Sequence, residues 1–427
     1  MTRPATEDTA GRPRTGQRPA PSLWRNHAFN LLWTGQCLSD LGSAMADLAL
    51  PLLVLQLTGS PAQAGLVGTA GLALTMACRL PAGALVDRFD RRRLMLVCDA
   101  VRVVVFAGLG CAVMAGAAGP AVILAVVLCG AAATAVFSTA EHAAVRNLVR
   151  ADQITTAVAR NEARAYGTSL AGPPLGGLLF GLGRALPFAG NALSFLLSLV
   201  AVLCIRRPLQ EPREAAVRSE GDGHGEGGGG GGLQGLRFVL REPFLRALLV
   251  IAAPLNMAFT GMIFAMTLSL RRSGVPPYLI GLAGTIFGLG GFLGALAAPA
   301  LQRWLRLPTL IVLICWTAAA LMAVSTAFSG SIVSAVPLAA AVFLGPTANA
   351  SLFGYQAAVT PDRLQGRVVS VLLLAATSAA ALAPALAGFL LARFGGGTGM
   401  LVFPLLVTAA AVAATCSRGI RSMADRP

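Results

Sequence analysis

On the first long apolar run of this chain, Gln36, Asp40, Ser43 and Asp47 recur at spacings of four, three and four residues. Such positions share one face of an α-helix. An acid inside an apolar helix is costly, nominally a few kcal/mol at a bilayer centre, and its default meaning is ion or proton handling. Asp40 lies about a dozen residues into the run, roughly 18 Å deep at 1.5 Å per residue. A carboxylate at that depth is hard to keep ionised and can load and release a proton. Asp40, with Asp47 second, is therefore the expected proton-coupling pair, and Gln36 is a candidate for the wall of a watery cavity. The competing role for either acid is static pairing with an arginine. For Asp47, nearer the far surface, neither role outweighs the other.

Asp99 and Arg102 on the third apolar run are three residues apart, a spacing that lets them pair on one helical face; a structural ion pair is expected. The second half of the chain is nearly free of acids within its apolar runs. Its polar candidates for the substrate cavity are Asn256, two residues after Pro254, and Asn349, with Gln356 close by. Isolated amides of this kind also serve as interhelical glue. A cavity built of Phe, Met and small residues suits bulky lipophilic molecules. No nucleophile–base set, metal-ligand cluster or phosphate-cradling Gly-Lys-Ser/Thr loop is present. The expectation is a non-enzyme with no cofactor and no use of ATP.

These residues must be positioned by membrane helices. Of the 427 residues, 56% are hydrophobic and 12% charged, against about 25% charged in soluble domains. Mean hydropathy is +0.72. The net charge of +15 comes entirely from arginine. The arginines gather at one set of helix ends rather than on a soluble module, so nucleic acid is not the expected partner. Twelve apolar runs of about 20 residues can each span a bilayer. Arginine-bearing connections alternate with connections nearly free of charge, which places both termini in the cytosol of a multi-pass cell-membrane protein. Its partners are the lipid bilayer, protons and a small-molecule substrate, and it is expected to be a monomer. The fold class is an all-α membrane protein of twelve transmembrane helices in two six-helix pseudo-repeats. The expected divisions are a disordered cytosolic tail (1–22), an N-terminal bundle (23–205), a flexible linker (206–243), a C-terminal bundle (244–417) and a second tail (418–427).

The linker holds a glycine run from Gly227 to Gly232, and His224 within it reads as solvated. The halves on either side echo one another. Gly65-Leu-Val-Gly-Thr69 recurs as Gly281-Leu-Ala-Gly-Thr285. Pro174-Leu-Gly-Gly177 has a counterpart in Pro384-Ala-Leu-Ala-Gly388. Ala298–Arg306 is a worn copy of Gly83–Arg91, with Gln302 in the place of Asp87. Parallel half-repeats with a site at the midplane between them are a known transporter plan.

The connection Gly83-x-Leu85-x-Asp87-Arg88-x-x-Arg91-Arg92 resembles the loop between the second and third helices of the major facilitator superfamily. Asp90 stands where the family usually has glycine. The resemblance implies a cytoplasmic latch of Gly83, Asp87, Arg88 and Arg91 that holds the two halves together in the outward-facing state. Glu141 is the acidic partner it suggests for Arg91. Gly172-Pro173-Pro174-Leu175-Gly176-Gly177 is similar to a motif that the family associates with exporters, its key positions being Gly172, Pro173, Gly176 and Gly177. Leu23-Trp24-Arg25-Asn26-x-x-Phe29 and Leu57-Thr58-Gly59-Ser60 look like the bacterial branch of drug, macrolide and enterobactin exporters. The implied function is proton-coupled efflux of lipophilic drug-like or natural-product molecules by alternating access. The alternatives are uptake of a small metabolite and a non-transporting sensor or assembly factor.

Overall fold

A computed structural model of the chain describes residues 23–150, 153–206, 209–210, 231–361, 364–417 and 420. The expected tails, apart from Ile420, and the linker stretch with His224 lie outside the described residues. Twelve helical segments form the membrane part. They are α1 (His27–Thr58), α2 (Pro61–Arg88), α3 (Arg91–Met114), α4 (Pro120–Leu148), α5 (Ile154–Leu182) and α6 (Leu186–Cys204), followed by α7 (Pro243–Arg272), α8 (Pro277–Trp304) and α9 (Leu307–Ala327). Next come α10, in two pieces (Ala335–Val342 and Gly345–Val359), α11 (Gln365–Phe394) and α12, also in two pieces (Gly396–Met400 and Val402–Cys416). Eleven of the twelve are long and apolar enough to cross a membrane. The exception, α5, is diluted by Arg160, Glu162, Arg164, its glycines and its paired prolines.

Local chemistry sets the turns. Gly59, at φ +66°, ends α1 in the left-handed region that glycine adopts freely, and its N–H bonds the Leu55 carbonyl. Ser60 then caps α2 by accepting from the Gln63 N–H, with Pro61 in the first turn, where its missing donor costs nothing. The Thr58-Gly59-Ser60-Pro61 run is thus a stop followed at once by a start. Asp90, the departure from the family glycine, caps α3 by accepting from the Arg93 N–H at 2.8 Å.

Two boundaries differ from the sequence expectation. By composition the arginine-bearing stretch between the fourth and fifth apolar runs reads as a connection, yet α4 continues to Leu148 and α5 begins at Ile154. Those extensions are rich in alanine and arginine, which are good helix formers without being apolar. Arg164 therefore lies on a helix, not in a loop. The linker also ends in structure: Gly231–Arg241 is a helix, so 206–243 is not flexible throughout. Its Val239 is fully buried in a cluster with Phe244, Leu245 and Val368.

Helices α1–α6 pack on one another and α7–α12 on one another, and the halves meet chiefly along α2 with α11 and α5 with α8. The sequence echoes are the substance of that meeting. The Gly281 run of α8 packs on the Pro173–Gly177 run of α5, and the Gly65 run of α2 packs on the Pro384–Gly388 run of α11. A Cβ on Gly281 would meet the Pro173 carbonyl and lie 2.8 Å from Pro174 Cα. A Cβ on Gly388 would meet the Pro61 carbonyl and lie 3.1 Å from Gly65 Cα. Prolines in these helices leave carbonyls without their helical donor. Pro174 orphans the Leu170 carbonyl, and the Thr285 hydroxyl of the other half donates to it at 3.1 Å. On the symmetry-related side, the Ala385 N–H donates to Thr69 Oγ1 at 2.9 Å.

These contacts lie in the half of the membrane away from the arginine-bearing connections. Toward the basic face the same α2 face that carries Gly65 and Thr69 continues through Leu72, Leu80 and Gly83. Leu80 is 85% exposed, and a Cβ on Gly83 would meet nothing within 4 Å. The halves are sealed at one face and parted at the basic one.

Candidate functional site

The polar stripe of α1 points into the molecule. Gly35 and Gly42 bring α6 close, with Ser198, Ser194 and Asn191 against them, and Ala44 and Met45 meet Gly172 and Gly176 of α5. Leu38, half a turn away from the stripe, is exposed. Asp40 and Asp47 therefore face inward between the neighbouring helices rather than toward acyl chains.

Asp40 belongs to a three-helix charge group. Arg164 Nε of α5 lies 2.9 Å from Asp40 Oδ2, and Arg164 Nη1 donates to Glu141 Oε1 of α4 at 2.8 Å. The two carboxylates are held unequally. The Glu141 side chain is 7% exposed and takes a directed hydrogen bond, whereas that of Asp40 is 38% exposed and the Arg164 Nε–H is not aimed at it. One guanidinium thus serves two acids, with the looser of them at the water-accessible edge. Such a planar fork can hold two carboxylates where an ammonium would act as a point charge. Asp47 is exposed and makes no ion pair among the described residues.

A second polar chain runs behind the first. Gln36 Nε2 donates to Ser198 Oγ at 3.0 Å, Ser198 Oγ donates to Asp99 Oδ2 at 2.7 Å, and Asp99 pairs with Arg102. The Arg102 guanidinium carbon lies 4.3 Å from the ring centres of both Phe137 and Phe195. Arg102 is only 3% exposed, so it does not reach for the surface. The Asp99–Arg102 pair expected from its spacing is present. Gln36, expected on a cavity wall, is instead 2% exposed, because the glycines of α1 let α6 close over it.

The latch residues sit at the basic face. Asp87 and Arg88 are exposed. The expected Arg91–Glu141 contact is not made: Arg91 Nη1 donates to the Ala143 carbonyl at 3.2 Å, and Glu141 is taken by Arg164. Arg92 Nη2 donates to the Leu203 carbonyl at 2.7 Å. Both arginines thereby fasten the start of α3 within its own half. In the exporter-type motif, Gly172 and Gly176 seat α5 on α1, the latter with its Cβ position 2.6 Å from the Met45 carbonyl. Pro173 and Gly177 seat α5 on α8. Asn256 is exposed, and its amide donates to the Ala252 carbonyl of its own helix. Asn349 is also exposed, whereas Gln356 is buried.

Sequence reasoning missed Arg164 and Ser198. Arg164 was hidden because charge was read as loop; the unbroken alanine-rich run from Ala157 to Ala165 was the available signal. Ser198 shares the spacing Asn191, Ser194, Ser198, a polar stripe on α6 like that of α1.

Comparisons with known proteins agree with this architecture. The profile of the Major Facilitator Superfamily matches residues 32–384. The chain is 28% identical over 364 residues to the multidrug efflux pump Tap of Mycolicibacterium fortuitum, covering 81% of this chain and 85% of that one. In fold it is similar to a bacterial homologue of the human lysosomal transporter Spinster, crystallised inward-facing and unoccupied. The TM-score is 0.74 at 16% identity, covering 94% of this chain and 99% of that one. A bacterial homologue of the iron transporter ferroportin, inward-facing, gives a TM-score of 0.68 at 16% identity, covering 95% and 100%.

Proposed function

As the chain belongs to the major facilitator superfamily, we propose that this membrane transporter exports lipophilic drug-like or natural-product molecules in exchange for protons. The observation that carries the reading is Arg164 shared between Asp40 and Glu141. Two carboxylates and one guanidinium leave one net negative charge in a poorly solvated wall, and a single proton removes it. Asp40 is the acid that takes this proton, because it is accessible and its contact to Arg164 is poorly directed. Glu141 keeps Arg164 in place through the exchange.

The basic face is cytosolic, since arginine near a span end resists translocation; both termini lie there, in a cell membrane. The structure is then the state open to the cytosol, with α2/α11 and α5/α8 closing the outer side. In the alternate state those seams part, and Gly83, Asp87, Arg88 and Arg91 engage the second half. Asp40 and Asp47 lie on the inward face of α1, with Asn256 and Asn349 as the polar groups offered by the other half. Few charges and many Phe, Met and small side chains favour lipophilic substrates. The similarity to a named multidrug efflux pump supports export.

The test is uptake of a panel of antibiotics into inverted vesicles, with and without an inward-acid pH gradient. Gradient-driven uptake by the wild type and its loss in Asp40→Asn are expected. Undiminished proton-driven uptake in Asp40→Asn would remove Asp40 from the mechanism, and uptake indifferent to the gradient would remove protons.

A further inference from the structure

At the basic end of α5, Arg160 sits in a box of three aromatic rings. Its guanidinium carbon lies 4.0 Å from the Trp24 ring centre, 5.2 Å from Phe29 and 4.9 Å from Trp33. Arg160 Nη1 donates to Asn30 Oδ1 at 3.1 Å, and the Trp33 indole N–H donates to the Arg160 backbone carbonyl at 3.2 Å. The box is itself tied down. Asn30 Nδ2 donates to the Trp24 carbonyl at 2.6 Å, and Asn26 Nδ2 donates to the Leu148 carbonyl at the end of α4 at 2.7 Å.

This box and the charge group are consecutive rungs of one seam. Arg160 and Arg164 are one turn apart on α5, and Trp33 and Asp40 are two turns apart on α1, so each pair shares a face. Little else holds this stretch of α5. Among the described side chains from 154 to 164, Ala157 alone is buried. Stacking of a guanidinium on aromatic faces fixes its plane as well as its position. The rotation and height of α5 at Arg164 are thereby set from one turn below.

We infer that Arg160 is a positioning residue that holds Arg164 between Asp40 and Glu141; its consequence for transport rests on the proton-coupling reading above. The charged and titratable groups around Asp40 are Arg164 from α5, Glu141 and His142 from α4, Arg102 from α3 and Cys37 from α1 itself. Of these, Arg164 is the one whose helix Arg160 anchors.

Two measurements on the full chain test this. The first is a double-mutant cycle on thermal midpoint in detergent, using Arg160→Ala and Asp40→Asn, with Arg160→Lys if the alanine variant folds poorly. Arg160 and Asp40 do not touch, so independent sites would give additive changes. The inference expects the change caused by Asp40→Asn, a gain or a loss, to shrink by about half or more when Arg160 is already replaced. Additive changes in both Arg160 backgrounds would overturn it, whether or not transport is proton-driven. The second is the pH profile of uptake into inverted vesicles. Replacing Arg160 should move the half-maximal pH by about half a unit, roughly threefold in proton affinity, while leaving the substrate KM within about twofold. A uniform fall in rate at every pH, with the midpoint unmoved, would reduce Arg160 to a structural tether and overturn its role in coupling. A non-additive cycle in a protein indifferent to the pH gradient would support the positioning and sink the proton reading alone.

Discussion

Gly281→Ala is the substitution whose effect the geometry fixes most tightly. In the closed seam its new methyl would lie 2.8 Å from Pro174 Cα and 2.9 Å from the Pro173 carbonyl carbon, besides meeting the Pro173 carbonyl oxygen. Carbon–carbon contacts are comfortable near 3.5–4.0 Å, and every one of these atoms is backbone that no rotamer change can move. The helices α5 and α8 must therefore separate by more than about half an ångström. Overpacking of this kind costs about 1–3 kcal/mol, and at 1.4 kcal/mol per decade that is a roughly 5- to 150-fold shift against the closed seam. The cost disappears in the arrangement where the seam is parted. Cys37 is partly exposed beside Arg164 and Asp40, so its alkylation by a polar maleimide, resolved by mass spectrometry, reports the opening at the basic face. A tenfold shift applied to a 9:1 population leaves it near 1:1, an approximately twofold fall in alkylation rate. Gly288→Ala is the control on the same helix. Its methyl would lie 3.4 Å from the flexible end of Leu170 and no nearer than 3.9 Å to backbone, all ordinary contacts, and the rate should not change. An unchanged Cys37 rate in a well-folded Gly281→Ala protein would refute the reasoning that this glycine permits the closed state.

Thr285→Val should act in the same direction more weakly. It leaves the part-buried Leu170 carbonyl without that donor, a loss of about 0.5–1.5 kcal/mol, and the same Cys37 assay reads it. Arg164→Ala removes the cation from buried Glu141 and from Asp40; a loss of about 3–5 kcal/mol is expected, and denaturant or thermal unfolding in detergent measures it. Arg164→Lys should recover only part, because one ammonium cannot reproduce the fork. Arg102→Ala strands Asp99 in the interior and should cost a similar amount, about 3–5 kcal/mol. Pairing it with Asp99→Asn should recover much of that loss, which the same unfolding measurement checks.

Much of the architecture was legible before folding. Spans show because a bilayer demands about 20 apolar residues per crossing, and the repeats show because the two halves meet the same packing problem twice. The Asp99–Arg102 pair was readable because its partners are one turn apart on a single helix. The stop-and-start at Gly59 and Ser60 was visible as residues, although its geometry was not. The apolar rule misled where α4 and α5 continue past the apolar runs as alanine- and arginine-bearing helix, which disguised Arg164 as a loop cation.

The chain alone set the expectation of twelve spans, showed which of them match across the halves, and put acids on one face of α1. Those properties follow from local spacing and from the cost of polar groups in lipid, so they need no knowledge of neighbours. Partner choice was decided only in three dimensions: Arg164 for Asp40 and Glu141, Ser198 for Gln36, Ala143 in place of Glu141 for Arg91, and the Gly281 run against the Pro173 run. An arginine side chain reaches several helices equally well, and two glycine runs of the same pattern can face many surfaces. Only the packed arrangement of α1, α4, α5, α6 and α8 selects among them.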